Sequence, residues 1–224
     1  MSYTIGVDSG GTFTDCVAMD ASGRLVTGKA PSTPPRYEDG VLDAVGVTAS
    51  ILRLDPKVLL AQCQLFSHGT TAGLNALLTR SGARLGLITT SGFEDTLYIA
   101  RADRQSGLVG DELNDVGAMT KAPPLVERSF VRGVRERVDA GGRELVPLDE
   151  AQFLQAASEL VSAGVEAIAI AFLWSFLEPR NEARAAALLR QHFPGLLVCA
   201  SHEISPGIGE YERTSTAVVN AYIV

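Results

Sequence analysis

Ile5-Gly6-Val7 reads as a strand bound for a core, and it runs directly into Asp8-Ser9-Gly10-Gly11-Thr12-Phe13-Thr14-Asp15. Two glycines, two threonines and flanking acids contribute little to packing, but their spacing suits the chemistry of phosphate. A phosphate group needs several donors converging on its oxygens, and successive backbone N–H groups of a tight turn provide them without charged side chains. Gly10 and Gly11 lack a Cβ, so they can take positive φ and allow close approach, while Thr12 and Thr14 add hydroxyl donors. Asp8 would repel phosphate directly; it makes sense as the carboxylate that holds Mg²⁺, usually through bound water. A plain hairpin with a Gly-Gly turn accounts for the glycines but not for Asp8 or the threonines. The whole D-x-G-G-T-x-T-D string therefore predicts a phosphate loop.

Two further stretches carry reactive residue types. In Ser67-His68-Gly69-Thr70-Thr71, Gly69 allows a sharp turn and Thr70 or Thr71 can cap a following helix. The free N–H groups at that helix start favour an anion or a developing oxyanion. His68 is then a candidate proton donor or orienting group, against the plainer reading of a capped helix with an incidental histidine. In Ser201-His202-Glu203, adjacent strand positions point to opposite faces, so His202 and Glu203 do not make a metal pair. The charged run Glu210-Tyr211-Glu212-Arg213 is expected to cap the last helix and pair locally, with Arg213 also able to reach a substrate acid.

The elements that must position these residues begin with three strand-like runs, TIGVD, FTDCVAMD and RLVTGKA, which predict an antiparallel meander. A helix follows over YEDGVLDAVGVTASILRL, with Val41, Leu42, Val45, Ala49 and Leu52 at helical spacing. CQLFSHG then leads into a short helix, TTAGLNALLTRSG, which Gly82 can end in a left-handed cap. ARLGLITT reads as a buried strand and SGFEDTLYIAR as the start of another helix. Residues 104–127 show no clear period and predict a long loop; SFVRGVRERVD and RELVPL predict a hairpin over about 128–146, joined by Ala140-Gly141-Gly142. Asp149 and Gln152 suggest a capping box before the next helix. Strand VEAIAIAFL, helix PRNEARAAALLRQHF, strand LLVCAS and a final amphipathic helix complete the chain. The pattern is α/β: a mixed sheet with helices on both faces.

Composition narrows the function classes. At 224 residues and 46% hydrophobic, the chain is a packed globular protein, and a formal net charge of −7 without a Lys/Arg cluster argues against nucleic acid or a membrane surface as partner. The longest apolar run, Ala167–Phe176, is too short to cross a bilayer. No signal peptide is evident, so a cytoplasmic location is expected. Cys16, Cys63 and Cys199 are too scattered for a disulfide framework or a thiolate metal site and read as reduced thiols in strands.

The order of elements resembles one lobe of the actin, sugar-kinase and heat-shock-chaperone ATPase superfamily, which implies a ribonuclease-H-like lobe. GVDSGGTFTD at 6–15, SHGTTAGLNALLTRSGARLGLITTSGFEDTLYIAR at 67–101 and SHEISPGIGEYERTSTAVVNAYI at 201–223 are more specific. Through them the chain closely resembles the N-terminal domain of the hydantoinase A, N-methylhydantoinase and 5-oxoprolinase family, related to acetone carboxylase large subunits. That resemblance implies an ATP-dependent hydrolase that phosphorylates an amide, lactam or ketone carbonyl for hydrolysis or carboxylation, with ATP and Mg²⁺ as cofactors. It assigns Mg²⁺ to Asp8, phosphates to Gly10, Gly11, Thr12 and Thr14, and the reacting carbonyl to the neighbourhood of His68, Thr70 and Thr71. Arg101 and Asp103 are weaker candidates for lining the cleft. One lobe is expected over 1–224, with the second lobe absent and a hydantoinase B-type subunit as a partner. A sugar or small-acid kinase lobe, or a non-catalytic lobe that binds a partner subunit, are the alternatives.

Overall fold

The computed structural model describes residues 2–101, 108–115, 117 and 123–223. The chain divides into two compact units, Met1–Thr79 and Arg80–Val224. In the first, β1 (Tyr3–Ser9), β2 (Phe13–Asp20) and β3 (Leu25–Pro31) form the expected antiparallel meander. Two helices follow, α1 (Tyr37–Leu52) and α2 (Pro56–Ala61), before β4 (Cys63–Thr70) joins β1 in parallel. The sheet order β3-β2-β1-β4 is therefore mixed. Alternation sends Tyr3, Ile5, Val7, Cys16, Ala18 and Ala30 to one face, where Ala44, Val45, Ala49 and Leu59 of the two helices cover them. Asp8 and Asp15 leave the other face, where they are exposed. Helix α3 (Ala72–Thr79) ends the unit.

The second unit opens with β5 (Leu85–Thr90), the single turn α4 (Thr96–Ile99) and β6 (Val131–Val134), then a short antiparallel pair, β7 (Arg137–Val138) and β8 (Glu144–Val146). Helix α5 (Glu150–Ser162), β9 (Ala167–Ala171), α6 (Arg180–His192), β10 (Leu197–Ala200), the turn α7 (Ser201–Ile204) and α8 (Glu210–Ile223) follow. Its sheet, β10-β9-β5-β6, is parallel throughout. Every residue of β5 and β9 is buried, as befits strands covered on both sides. Ile88, Ile168 and Ile170 pack with α5 and α6 through Phe153, Leu160 and Leu189, while α8 lies on β9 and β10 and buries Ala217, Val218 and Ala221.

Several local expectations are corrected. Leu42 is exposed, and Ala44 and Thr48 take the inward row of α1, because the helix backbone lies against β3 and only small side chains fit there. Arg80, at φ 52°, follows α3 in the left-handed conformation expected of Gly82; Gly82 has the backbone and ring of Tyr222 where its Cβ would be. The 128–146 hairpin is reduced to β7 and β8, since β6 is drawn into the parallel sheet beside β5. Asp149 caps α5 through Gln152 N at 3.0 Å, but the Gln152 side chain accepts from Arg135 N at 2.7 Å instead of closing a capping box. Residues 201–204 form a helical turn, not a strand end. Within the proposed 104–127 loop, Gly110–Asn114 form a short 3₁₀ turn, and residues 104–107, 116 and 118–122 lie outside the described ones.

Arg213 is the largest local departure. It neither caps α8 nor pairs on the surface: it is 2% exposed and donates to Ser201 Oγ at 3.1 Å, Phe172 O at 2.8 Å and Gly207 O at 3.2 Å. The same Ser201 hydroxyl lies 2.9 Å from the buried carboxylate of Glu182, which also accepts from Phe172 N and His202 Nδ1. A cation and an anion are thus buried around one hydroxyl, which lowers the cost of desolvating each. The three cysteines are free, and burial pushes the Cys16 and Cys199 thiols up from their ordinary value.

Candidate functional site

The site starts at the end of β1. The tight connection to β2 is closed by Gly10 N donating to Phe13 O at 2.9 Å, leaving Gly11 and Thr12 exposed at the tip. Neither glycine takes positive φ. Space is what requires them: a Cβ on Gly10 would stand 3.0 Å from Phe13 O, and one on Gly11 would stand 2.8 Å from Asn75 Nδ2. Among the described residues the Gly11 and Thr12 N–H groups have no acceptor, so both remain available to an anion.

Asp8 and Asp15 are direct cross-strand partners on the open face, and with Gly6, Val17, Ser67 and Gly69 they line a shallow cavity of about 280 Å³. Lys29 neutralises Asp15 at 2.7 Å. The Asp8 carboxylate has no hydrogen bond or ion pair among the described residues, and Gly69, its register partner on β4, leaves it uncovered. Two opposed carboxylates with a single lysine leave a local excess of negative charge that suits a cation. No cluster of three or more His, Cys, Asp or Glu side chains gathers among the described residues. Asp8, with Asp15 beside it, would hold a Mg²⁺ ion if one were bound, since that ion needs only one or two protein carboxylates when phosphate is present.

The remaining candidates divide by strand parity. Val7 pairs with His68 and Asp8 with Gly69, so His68 leaves the sheet on the face opposite Asp8. Its Nε2 lies 3.0 Å from the Oγ of Ser9, which is fully buried. Thr14 is also fully buried; its hydroxyl meets Ser32 Oγ at 3.0 Å, and Ser32 donates to Gly10 O at 2.7 Å. Thr14 thus braces the turn from behind and presents no donor at its tip. Thr70 caps α3 by accepting from Ala72 N at 3.1 Å, and Thr71 N donates to Ser9 O at 3.1 Å. These bonds bring the start of α3 beside the glycine turn, so Gly10, Gly11, Thr12, Thr70 and Thr71 share one edge of the unit.

Ser9, Ser32 and Asn75 complete the arrangement and had no local signal. Asn75 reaches back one helical turn to Thr71 Oγ1 at 3.4 Å while its amide fills the space above Gly11. Elsewhere, Arg101 is exposed and ion-paired with Glu212 at 2.7 Å, a bond that holds the Glu212 carboxyl below its ordinary range. Asp103 lies outside the described residues.

The model of the hydantoinase/oxoprolinase N-terminal region matches residues 4–193. Caprolactamase subunit alpha of Pseudomonas jessenii is 39% identical over 99% of this chain and 31% of its own length. The acetophenone carboxylase gamma subunit of Aromatoleum aromaticum is 38% identical over 98% of this chain and 31% of its own. Among solved structures, nucleotide-free acetone carboxylase, described with a mechanism of ATP-dependent acetone carboxylation, superposes with a TM-score of 0.91 at 32% identity, over 99% of this chain and 32% of that one. The ATP-dependent caprolactamase of Pseudomonas jessenii superposes at 0.84, over 99% of this chain and 31% of that one. The chain spans about a third of the length of these curated relatives.

Proposed function

The chain belongs to the hydantoinase/oxoprolinase N-terminal family, and on that premise we propose that it is the phosphate-holding part of an ATP-dependent enzyme acting on cyclic amides. The chemistry is activation of an amide, lactam or ketone carbonyl oxygen by phosphorylation, followed by hydrolysis or carboxylation. When bound, ATP with Mg²⁺ supplies the phosphoryl group that turns a poor leaving oxygen into a good one. The reading rests on the unpartnered Asp8 carboxylate at the end of β1, beside a turn whose second glycine has no room for a side chain.

Asp8 holds Mg²⁺, and Asp15 deepens the negative field of the same cavity. Gly10, Gly11 and Thr12 offer backbone N–H groups and a hydroxyl to phosphate oxygens. Thr14 acts through Ser32 to keep the turn in shape. Thr70 and Thr71 face developing negative charge from the start of α3. His68, on the face opposite Asp8, acts as an orienting group: its Nε2 meets the buried Ser9 hydroxyl and so fixes the end of β1 next to the turn. A second lobe and a hydantoinase B-type subunit complete the working enzyme.

Phosphate release from MgATP by the full-length protein, with 5-oxoproline, caprolactam, hydantoin, acetone and glucose offered separately, tests this. Release that requires a cyclic amide is the expected result. Formation of ADP only with glucose and without free phosphate, the phosphoryl group staying on the sugar, would move the protein to the sugar kinases, and release with none of them would overturn the assignment.

A further inference from the structure

A parallel sheet opens its ligand crevice beyond the carboxyl ends of its strands, at the place where successive connections leave in opposite directions. In the second unit the chain passes from β5 outward to β6, then returns to β9 on the other side of β5. The switch point therefore lies between β5 and β9. Segments leaving those strands line one cavity of about 350 Å³: Phe93 follows β5, Trp174 and Phe176 follow β9, Arg137 follows β6, and Arg213 enters from α8.

We propose that this cavity binds a small monocarboxylate with a compact apolar or ring-shaped body. Its uncompensated charge comes from Arg137, while Arg213, whose charge faces the buried Glu182 carboxylate across Ser201, forms a fixed wall of the cavity. Arg137 is half-buried, its guanidinium lies 5.2 Å from the Phe93 ring centre, and that guanidinium makes no hydrogen bond or ion pair among the described residues, although its charge also acts on the buried Glu136 beside it. Arg213 is buried and anchored to Ser201, Gly207 and Phe172, with its charge 5.4 Å from the Phe176 ring centre. The carboxylate on the lining belongs to Glu210, which is exposed. A planar guanidinium stacked on an aromatic ring keeps its edge free, and that edge matches a carboxylate in two parallel hydrogen bonds.

The rest of the lining is apolar, with Leu173 and Ile208 beside the three aromatic rings. The volume lies at the small end of small-molecule sites, which favours a compact ligand. Trp174 has φ 59°, a backbone conformation that bulky residues adopt only when their surroundings hold them there. Those supports are present: Phe172 N donates to Glu182, Leu173 N to Thr90 Oγ1, and Leu177 N and Glu178 N both donate to Trp174 O. The buried Arg213–Ser201–Glu182 group thus sets the loop that presents Trp174 to the cavity.

Trp174 is the one tryptophan of the 224-residue sequence, so its fluorescence reports on this cavity directly. Benzoate, its neutral isostere benzamide, cyclohexanecarboxylate and inorganic phosphate are titrated in turn, with affinities checked by calorimetry. Benzoate and cyclohexanecarboxylate should both bind and shift the emission, at least tenfold tighter than benzamide. Arg137→Met should erase that tenfold preference, and Arg137→Lys should restore part of it. Equal binding of benzoate and benzamide to the unmodified protein overturns the proposal without recourse to any variant. So does the absence of binding, or a phosphate affinity that matches benzoate and displaces it.

Discussion

Asp8→Asn should act on stability and on catalysis in opposite directions. In the β1–β2 register Asp8 stands opposite Asp15 on the open face, and directly opposed like charges cost about 0.2–1 kcal/mol. Lys29, 2.7 Å from Asp15, offsets part of that repulsion. Neutralising Asp8 without changing its shape should therefore stabilise the unliganded protein by roughly 0.5 kcal/mol. For a chain of this length that is a rise in Tm of about 1–2 °C. The same substitution removes the carboxylate assigned to Mg²⁺, and losing a preorganised electrostatic partner of that kind costs about 10²–10³ in rate. Thermal melts with and without MgATP, set beside ATP-dependent phosphate release, separate the two effects. The wild type should gain stability from MgATP and the variant should not. A variant that melts at lower temperature without ligand would make Asp8 a structural residue. Full turnover in the variant would falsify its metal role.

Three further outcomes follow from packing and charge. Gly28→Ala places a methyl group 2.7 Å from Thr48 N and 2.9 Å from Ala44 O, so α1 must move off β3; a loss of about 3 kcal/mol is expected, read as a lower denaturant midpoint with unchanged slope. Arg213→Met leaves the Glu182 carboxylate buried without its cation and should cost about 3–5 kcal/mol, with Glu182→Gln in the same chain recovering part; full additivity of the two changes would show that they are not coupled. His202 has its pKa raised above 6.5, first by its hydrogen bond to Glu182, so the folded state binds the proton more tightly than the unfolded chain. That contribution is fully present below about pH 6.5 and disappears as pH rises through the folded value. Melts across this range should show the decline in the wild type, and His202→Gln should flatten it.

Much of this protein is written locally. Alternation in β1, β2 and β3 specifies which residues enter the core, because a strand's side-chain period is two whatever lies beside it. The Asp8–Asp15 string marks its own turn, since tight connection and close approach are demands a glycine pair meets without help from distant residues. The apolar runs of β5 and β9 likewise announce strands buried on both faces. Where local signals compete with packing they fail. Leu42 has the right helical spacing but too much bulk for the close approach of α1 to β3, and β6 gains more by pairing with β5 than by extending the 128–146 hairpin.

What the sequence by itself determined is the identity of the reactive groups and the turn that carries them. What only the tertiary structure decided is which of them meet. The parallel register of β1 and β4 links residues about 60 positions apart, and a shift of one residue would have put His68 on the face of Asp8 instead of against Ser9. Thr14 and Thr12 look equivalent in the string, yet strand parity buries one against Ser32 and leaves the other at the tip. Arg213 reads as a surface charge because nothing in its neighbours announces that Glu182 will arrive from another helix. Parity, register and the partner of a buried charge are properties of pairs of distant segments, so they come into being only when those segments pack.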